Sequence, residues 1–298
     1  MNNFGFYNRT KIIYGREEHK TVGERLKPYA KKVLLHYGGG SIKKNGIYDD
    51  IVKSLQEAGI DFCELGRVKP NPNPTLDLVY EGIDLCRKEN IDCILAVGGG
   101  SAIDSGKAIA CRVPYDGDVW ELFGGYFVKT HLPIVTVLTL PASGTESSNN
   151  EVITNEKTLQ KYYVGAKDFY PIFSIINPEI FYTVPKKQIS AGAMDMMSHT
   201  IERCFSNTEH TDYVDQLSET ALKIIMKYGE MLLKDSENYD AWFEFALAGT
   251  FSHNGIICIG KEEDWSNHRI EDELAVTCDI THGEGLSVIT LAWMEYVY

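Results

Sequence analysis

Four side chains able to hold a cation stand out by type and setting. Asp195 and His199 lie four residues apart in MDMMSHTIE, a spacing that puts both on one face of a helix. His268 follows on a later helical segment, DWSNHRIEDEL, and His282 opens THGEG, where the helical pattern breaks. One carboxylate and three imidazoles form a nitrogen–oxygen donor set. It suits zinc or ferrous iron better than calcium, which takes oxygen, or copper(I), which takes sulfur. A single histidine is more often a surface or core residue than a ligand, and the sequence alone does not show the four converging. His19, His36, His131, His210 and His253 lack a comparable neighbourhood and read as structural or surface residues.

A second constellation is a phosphate cradle. In ILAVGGGSAIDSGKAIA, Gly98, Gly99 and Gly100 stand between a buried strand and the start of a helix. Bare backbone there lets N–H groups and the helix dipole face an anion. Ser101 is placed to cap the helix and to donate to a phosphate oxygen, and Asp104 lies in its first turn. Ile103 stands where the third glycine of G-x-G-x-x-G would fall, and an ordinary tight turn is the plainer alternative. A second run, Gly38-Gly39-Gly40-Ser41, also follows a strand and precedes Lys43 and Lys44. Where an acid would bond a ribose 2′-hydroxyl, glycine and nearby lysines leave room for a 2′-phosphate, which favours NADP over NAD. Solvated loop lysines explain that stretch equally well.

These residues need a scaffold, and the hydrophobic pattern supplies one. KVLLH (32–36), DFCEL (61–65), DCILAV (92–97) and IVTVLTL (134–140) are apolar runs separated by helical spacings over 42–58, 76–88 and 100–112. Continuous apolar strands alternating with helices indicate a parallel sheet covered on both faces, a doubly wound α/β domain. From Lys186 onward only helical segments appear, over roughly 188–205, 212–233, 239–257, 264–278 and 284–298. The expected division is residues 1–183, a nucleotide-binding α/β domain, and 184–298, an all-α metal-binding domain. The last segment, LSVITLAWMEYVY, is apolar and aromatic and needs cover from a partner or from further helices.

Composition excludes other classes. With 42 Asp+Glu against 29 Lys+Arg and a net charge of −13, the chain lacks the basic face that nucleic acid demands. No apolar run approaches the ~20 residues that span a bilayer, and the opening MNNFGFYNRT resembles no targeting peptide. Seven scattered cysteines without a C-x-x-C pair fit a reduced, cytoplasmic compartment.

Taken together and in this order, YGGGSIKKNG, GGGSAID, YDGDVWELF, TVLTLPASGTES, VITNEKT, AGAMDMMSHTIE and DITHGEGLS resemble the iron-containing alcohol dehydrogenase family, most nearly its NADPH-dependent butanol dehydrogenase branch. The resemblance covers essentially the whole chain. It implies a Rossmann-like domain followed by a helical one, the dehydroquinate-synthase-like architecture, with an active site in the cleft between them. It implies that Asp195, His199, His268 and His282 bind one divalent ion, Fe2+ or Zn2+. Gly38, Gly39 and Ser41 would lie near the adenosine ribose, and Gly98, Gly99, Gly100 and Ser101 at the pyrophosphate. Asp104, Thr139, Ser148 and Lys161 would line the rest of NADP(H). Relatives that use NAD often carry Asp where Gly39 stands.

The chain also departs from the family pattern. Asp272 replaces a second histidine four residues after His268, where an acid adds a ligand or alters the proton path. Asn177, Asn267, Val276, Glu284 and Ser287 occupy places where relatives usually carry other residues. Relatives continue for several more helices, so the helical domain is expected to be incomplete.

The expected activity is metal-dependent, NADP(H)-linked oxidation of short aliphatic alcohols or reduction of their aldehydes, such as butanol and butyraldehyde. His282 and Asp272 would be the catalytic residues, in a cytoplasmic homodimer that meets neither nucleic acid nor membrane. Trp120, Phe123, Tyr126 and Phe127 would line an apolar substrate pocket or fill a core. A paralogue that binds cofactor or a partner without turnover is the alternative. A lyase or synthase on the dehydroquinate-synthase-like scaffold ranks behind both, because the helical half offers few clustered cations for a polyanionic substrate.

Overall fold

Strands form where the sequence is apolar and β-branched over four to six residues. In chain order they are β1 (Lys11–Tyr14), β2 (Lys32–Tyr37), β3 (Asp61–Leu65), β4 (Cys93–Gly98), β5 (Ile134–Leu138), β6 (Asn150–Asn155), β7 (Gln160–Gly165) and β8 (Phe173–Ile176). The helices are α1 (Val22–Leu26), α2 (Ser41–Lys44), α3 (Ile47–Ala58), α4 (Leu76–Glu89), α5 (Gly100–Arg112), α6 (Lys186–Cys204), α7 (Asp212–Lys234), α8 (Tyr239–His253), α9 (Ser266–Cys278) and α10 (His282–Val297). The structure, a computed structural model, describes residues 1–66, 74–124, 130–165, 168–278 and 280–297, with only the backbone of 123 and 124.

Six strands form a parallel sheet in the order β1-β8-β5-β4-β2-β3. β4 and β5 are buried at every residue, as strands covered on both faces must be, whereas the edge strand β3 buries only Leu65. Strand order reverses beside β2: the chain first runs outward to β3, then returns to β4 on the other side. Tyr37 pairs with Val97 in that parallel ladder. The two glycine runs therefore leave the sheet from adjacent strands at a topological switch point, where open α/β sheets bind ligands.

Three strands of this unit are among the elements that lie outside the sequence expectation. KIIY, where no strand is expected, is β1, which adds to the sheet edge beside β8. Four residues are too few for periodicity to mark them. β6 and β7 form a separate antiparallel hairpin that turns through Leu159 at φ 52°. A buried ion pair between Arg112 and Glu151 and a bond from the fully buried Lys107 to the Asn150 carbonyl (2.8 Å) join that hairpin to α5.

The chain divides into two compact units. One comprises residues 9–139 and 149–180; the other comprises 1–8, 140–148 and 181–298. In the second, the core centres on Trp242, Phe245, Phe181, Ile225 and Leu232. The stretch 140–148 belongs to this helical unit: Glu146 accepts from Thr250 (2.6 Å), and Gly144, at φ +64°, lies against His253. α8 stops at His253, short of the expected 257, because Asn254 and Gly255 (φ 92°) break it. α10 begins at His282 itself, two residues before the expected start, and leaves Val288, Leu291 and Tyr296 exposed. Among the described residues, no helix is long and apolar enough to cross a membrane.

His36 is a polar residue in the centre of the sheet unit, fully buried in β2. Its Nδ1–H donates to the Leu65 carbonyl (2.8 Å), so in the neutral ring Nε2 must accept from the Ser105 hydroxyl (2.6 Å). Burial pulls its pKa from 6.5 down to about 4. The unfolded ring then takes its proton at a higher pH than the folded one, so folding loses stability as pH falls between these values and not above them. In urea melts, His36→Leu flattens the decline in midpoint between pH 6.5 and 4. An unchanged acid slope would contradict this assignment.

Candidate metal centre and dinucleotide cradle

Asp195, His199, Glu202 and Arg203 recur along one face of α6, and all four are buried. The Nε2 atoms of His199, His268 and His282 lie 3.5, 3.7 and 3.7 Å from the same atom, Asp195 Oδ1. Distances of 3.7 Å are too long for hydrogen bonds. They match the edge of a tetrahedron whose corners sit at metal–ligand distances, roughly 3.3–3.6 Å for bonds near 2.0–2.2 Å. The ligand atoms of Asp195, His268 and His282 all lie within 4.8 Å of one another. His199 adjoins them with its ring stacked on His268 at 4.7 Å. Among the described residues, Asp195 Oδ1 and His268 Nε2 are buried with no hydrogen-bond partner. The donor set and its orphaned atoms fit a divalent cation.

Two glutamates orient the rings. His268 Nδ1 bonds Glu202, whose other oxygen accepts the His268 backbone N–H (3.1 Å), and His282 Nδ1 bonds Glu271. A carboxylate on Nδ1 holds the proton there and turns the Nε2 lone pair inward. The sequence reading did not single out Glu202 and Glu271, although a signal was present. Each stands three residues after a candidate ligand, in HTIE and HRIE, and so shares its helix face.

Burial and the neighbouring His253 and His268 hold the His199 pKa well below its usual value. Burial also pulls His268 down, but the Asp195 and Glu202 carboxylates outweigh it and raise this ring to about 9. A proton therefore competes with a cation for His268.

Backbone contact brings α10 close enough to contribute His282. A Cβ on Gly283 would lie 2.0 Å from the Ala191 carbonyl oxygen of α6, and one on Gly285 would lie 2.6 Å from Glu271 Oε1 of α9. The glycines of THGEG thus permit two close helix approaches rather than a break. On the other side of the cluster, Arg203 donates to the His199 and Ser252 carbonyls (3.0 and 3.1 Å) and lies 4.3 Å over the Trp265 ring. His253, expected to be merely structural or surface, has its ring centroid 4.3 Å from that of His199. Its partners arrive from α6 and the α8–α9 connection, so no local spacing could reveal it. Asp272, Glu271 and His282 form a second group with ligand atoms within 4.8 Å, which puts Asp272 beside the cluster.

The cradle lies in the other unit. α5 starts at Gly100 with Gly99 as its N-cap and no side-chain cap. Ser101 is thus inside the helix and not the expected cap, because the extended Gly99 already ends the strand. Gly98 is packed so that a Cβ would lie 2.4 Å from that of Ala102, while Cβ positions at Gly38 and Gly40 meet open space. Bare backbone at two adjacent strand ends, with an uncapped helix start, fits a pyrophosphate. Ser41 opens the short α2 beside the same turn. The Thr139 N–H donates to the Gly98 carbonyl (2.9 Å), which fixes that strand end. Asp104 is buried in α5 and accepts the Val152 N–H (3.2 Å), a bond that ties it to the hairpin. Lys161 lies on β7 opposite Thr154, and Ser148 is buried in the helical unit. Trp120 stacks on Tyr162 at 5.2 Å. The Phe123 side chain, Tyr126 and Phe127 lie outside the described residues.

The departures from the family pattern are accommodated locally. Asn177 is buried and donates to His19 Nδ1 (3.2 Å), and Asn267 bonds Thr290 Oγ1 (3.1 Å). Glu284 pairs with Lys187 (2.9 Å). Nothing in the structure explains Val276 or Ser287.

Comparison with known proteins shows the family. The iron-containing alcohol dehydrogenase family matches residues 9–178, and its C-terminal Fe-containing alcohol dehydrogenase region matches 189–298. NADH-dependent butanol dehydrogenase A of Clostridium acetobutylicum is 43% identical over 100% of this chain and 76% of its own length. The NADPH-dependent aldehyde reductase YqhD of Escherichia coli is 33% identical over 99% and 76%. The crystal structure of NADH-dependent butanol dehydrogenase A from Thermotoga maritima superposes with a TM-score of 0.97, at 44% identity, over 100% of this chain and 75% of that one. The chain belongs to the iron-containing alcohol dehydrogenase family.

Two substitutions test how the centre is positioned. Gly283→Ala pushes α10 off α6 and draws His282 from the cluster, so bound metal falls well below one per chain. Glu271→Gln leaves the helices packed but weakens metal affinity by about 10–100-fold, read by competition with a chromophoric chelator. Wild-type affinity in both variants would contradict this positioning.

Proposed function

We propose that this family member is a metal-dependent, NADP(H)-linked alcohol dehydrogenase and aldehyde reductase acting on short aliphatic alcohols and aldehydes such as butanol and butyraldehyde. Membership in the family implies a nicotinamide cofactor and a divalent metal. The observation that carries the proposal is the convergence of three imidazole Nε2 atoms on Asp195 Oδ1. When bound, the ion supplies Lewis acidity toward an alcohol or carbonyl oxygen, and the nicotinamide supplies or accepts the hydride.

The chain's own residues prepare that chemistry. Asp195, His199, His268 and His282 would hold the ion, iron(II) or zinc, with Glu202 and Glu271 keeping the ring protons on Nδ1. His282 is the least buried of the four, its side chain 27% exposed, which suits a ligand that borders the reacting groups. Asp272 is near it and can exchange a proton with solvent, the role assigned here to the acid that replaces a histidine. Gly98, Gly99, Gly100 and Ser101 would hold the pyrophosphate, and Gly38, Gly39 and Ser41 the adenosine ribose. Absence of a side chain at Gly39 and the presence of Lys43 support NADP. Relatives are named for either cofactor, so their names do not decide.

Asp272 also favours a second reading, a chain that binds cofactor without turnover. Oxidation of NADPH with butyraldehyde, with iron(II), zinc or manganese added, separates the two. The proposal expects a metal-dependent rate, and expects His282→Ala to lose metal content and at least about 100-fold of that rate together. Tight NADPH binding with no rate above background would favour the second reading. Full metal content and rate in His282→Ala would refute the role of His282.

A further inference from the structure

The glycine run itself holds no acid to read the ribose, only Gly39 at that place. The sheet register offers one. β3 lies beside β2, with Glu64 paired to Leu35 and Leu65 to His36. Glu64 is thus near the carboxyl end of β3, beside the strand from which the Gly38–Gly40 turn leaves the sheet. It is not idle there. Glu64 Oε2 accepts from the Tyr37 hydroxyl (2.8 Å) and from Lys43 Nζ (2.9 Å), and Oε1 accepts from the Tyr48 hydroxyl. The Lys43 ammonium also lies 4.3 Å from the Tyr48 ring centroid and 5.0 Å from that of Tyr37. Lys43 and Glu64 are 44% and 33% exposed, so solutes reach both.

We propose that Glu64 and Lys43 act as a pair that sets discrimination between 2′-phosphorylated and 2′-hydroxyl dinucleotides. This rests on reading the Gly38–Ser41 turn as the ribose site. Lys43 is a cation available to a 2′-phosphate, and Glu64 competes for it. A dianionic phosphate near this turn must draw the ammonium away from the carboxylate and also bear repulsion from it. The Tyr37 and Tyr48 hydroxyls then keep Glu64 hydrogen-bonded, which lowers the cost of giving up Lys43. A 2′-hydroxyl makes no such demand and can itself donate to the carboxylate. An exposed pair of this kind adds little to stability, so its effect belongs to binding.

The test is dinucleotide binding to the full chain, without substrate. Dissociation constants for NADPH and NADH come from fluorescence titration; those for adenosine 2′,5′-bisphosphate and 5′-AMP, which lack the nicotinamide, come from calorimetry. Glu64→Gln is expected to raise the NADPH:NADH affinity ratio about fivefold, and Lys43→Ala to lower it by about as much. In the Lys43→Ala background the Glu64→Gln effect should vanish, and the adenosine phosphates should follow the same pattern. Ratios unchanged in both variants, while the wild-type chain binds both dinucleotides, would overturn the pair alone. A wild-type chain that binds neither dinucleotide nor adenosine phosphate would overturn the ribose-site reading and the pair with it.

Discussion

A buried carboxylate oxygen faced by three imidazole nitrogens, none of them close enough for a good hydrogen bond, is a costly arrangement by itself. Removing a charged oxygen from water without a partner costs several kcal/mol, and Asp195 Oδ1 is in that position among the described residues. Hydrogen bonds from the rings do not relieve it. The nearest Nε2 atoms stand 3.5–3.7 Å away, and Glu202 and Glu271 claim the protons on the far side of two rings. One cation at the shared centre would satisfy all of these atoms at once.

Much of the helical unit serves that arrangement. α6 carries the carboxylate and one imidazole on a single face, together with the glutamate that orients a ring from α9. α9 in turn carries the glutamate that orients the ring from α10. α6 and α9 thus each supply a candidate ligand and the support for the next helix's ligand. Gly283 allows the third helix to approach α6 at backbone distance, and Gly285 leaves room for the Glu271 side chain of α9. Displacement of one helix therefore loosens more than the ligand it bears.

The alternation of apolar strands and helices made the parallel sheet legible, because central strands such as β4 are apolar at every position and need no partner to be recognised. β1 was hidden by its four-residue length, and the β6–β7 hairpin because its place depends on contacts with α5. The ligand types were visible in the linear order, and their convergence was not, because it depends on helix crossing angles and on two glycines whose meaning is tertiary. Glu202 and Glu271 were within reach of the H-x-x-E spacing. Glu64 and His253 were not, since one is defined by strand register and the other by the side of the cluster on which α8 ends.

The central claim is that Asp195, His199, His268 and His282 share one cation, and X-ray absorption at the metal edge of the purified, metal-loaded chain tests it most directly. The account predicts one ion per chain, with three imidazoles and a carboxylate oxygen at about 2.0–2.2 Å. A first coordination shell with one imidazole or none, or filled by water alone, would contradict it.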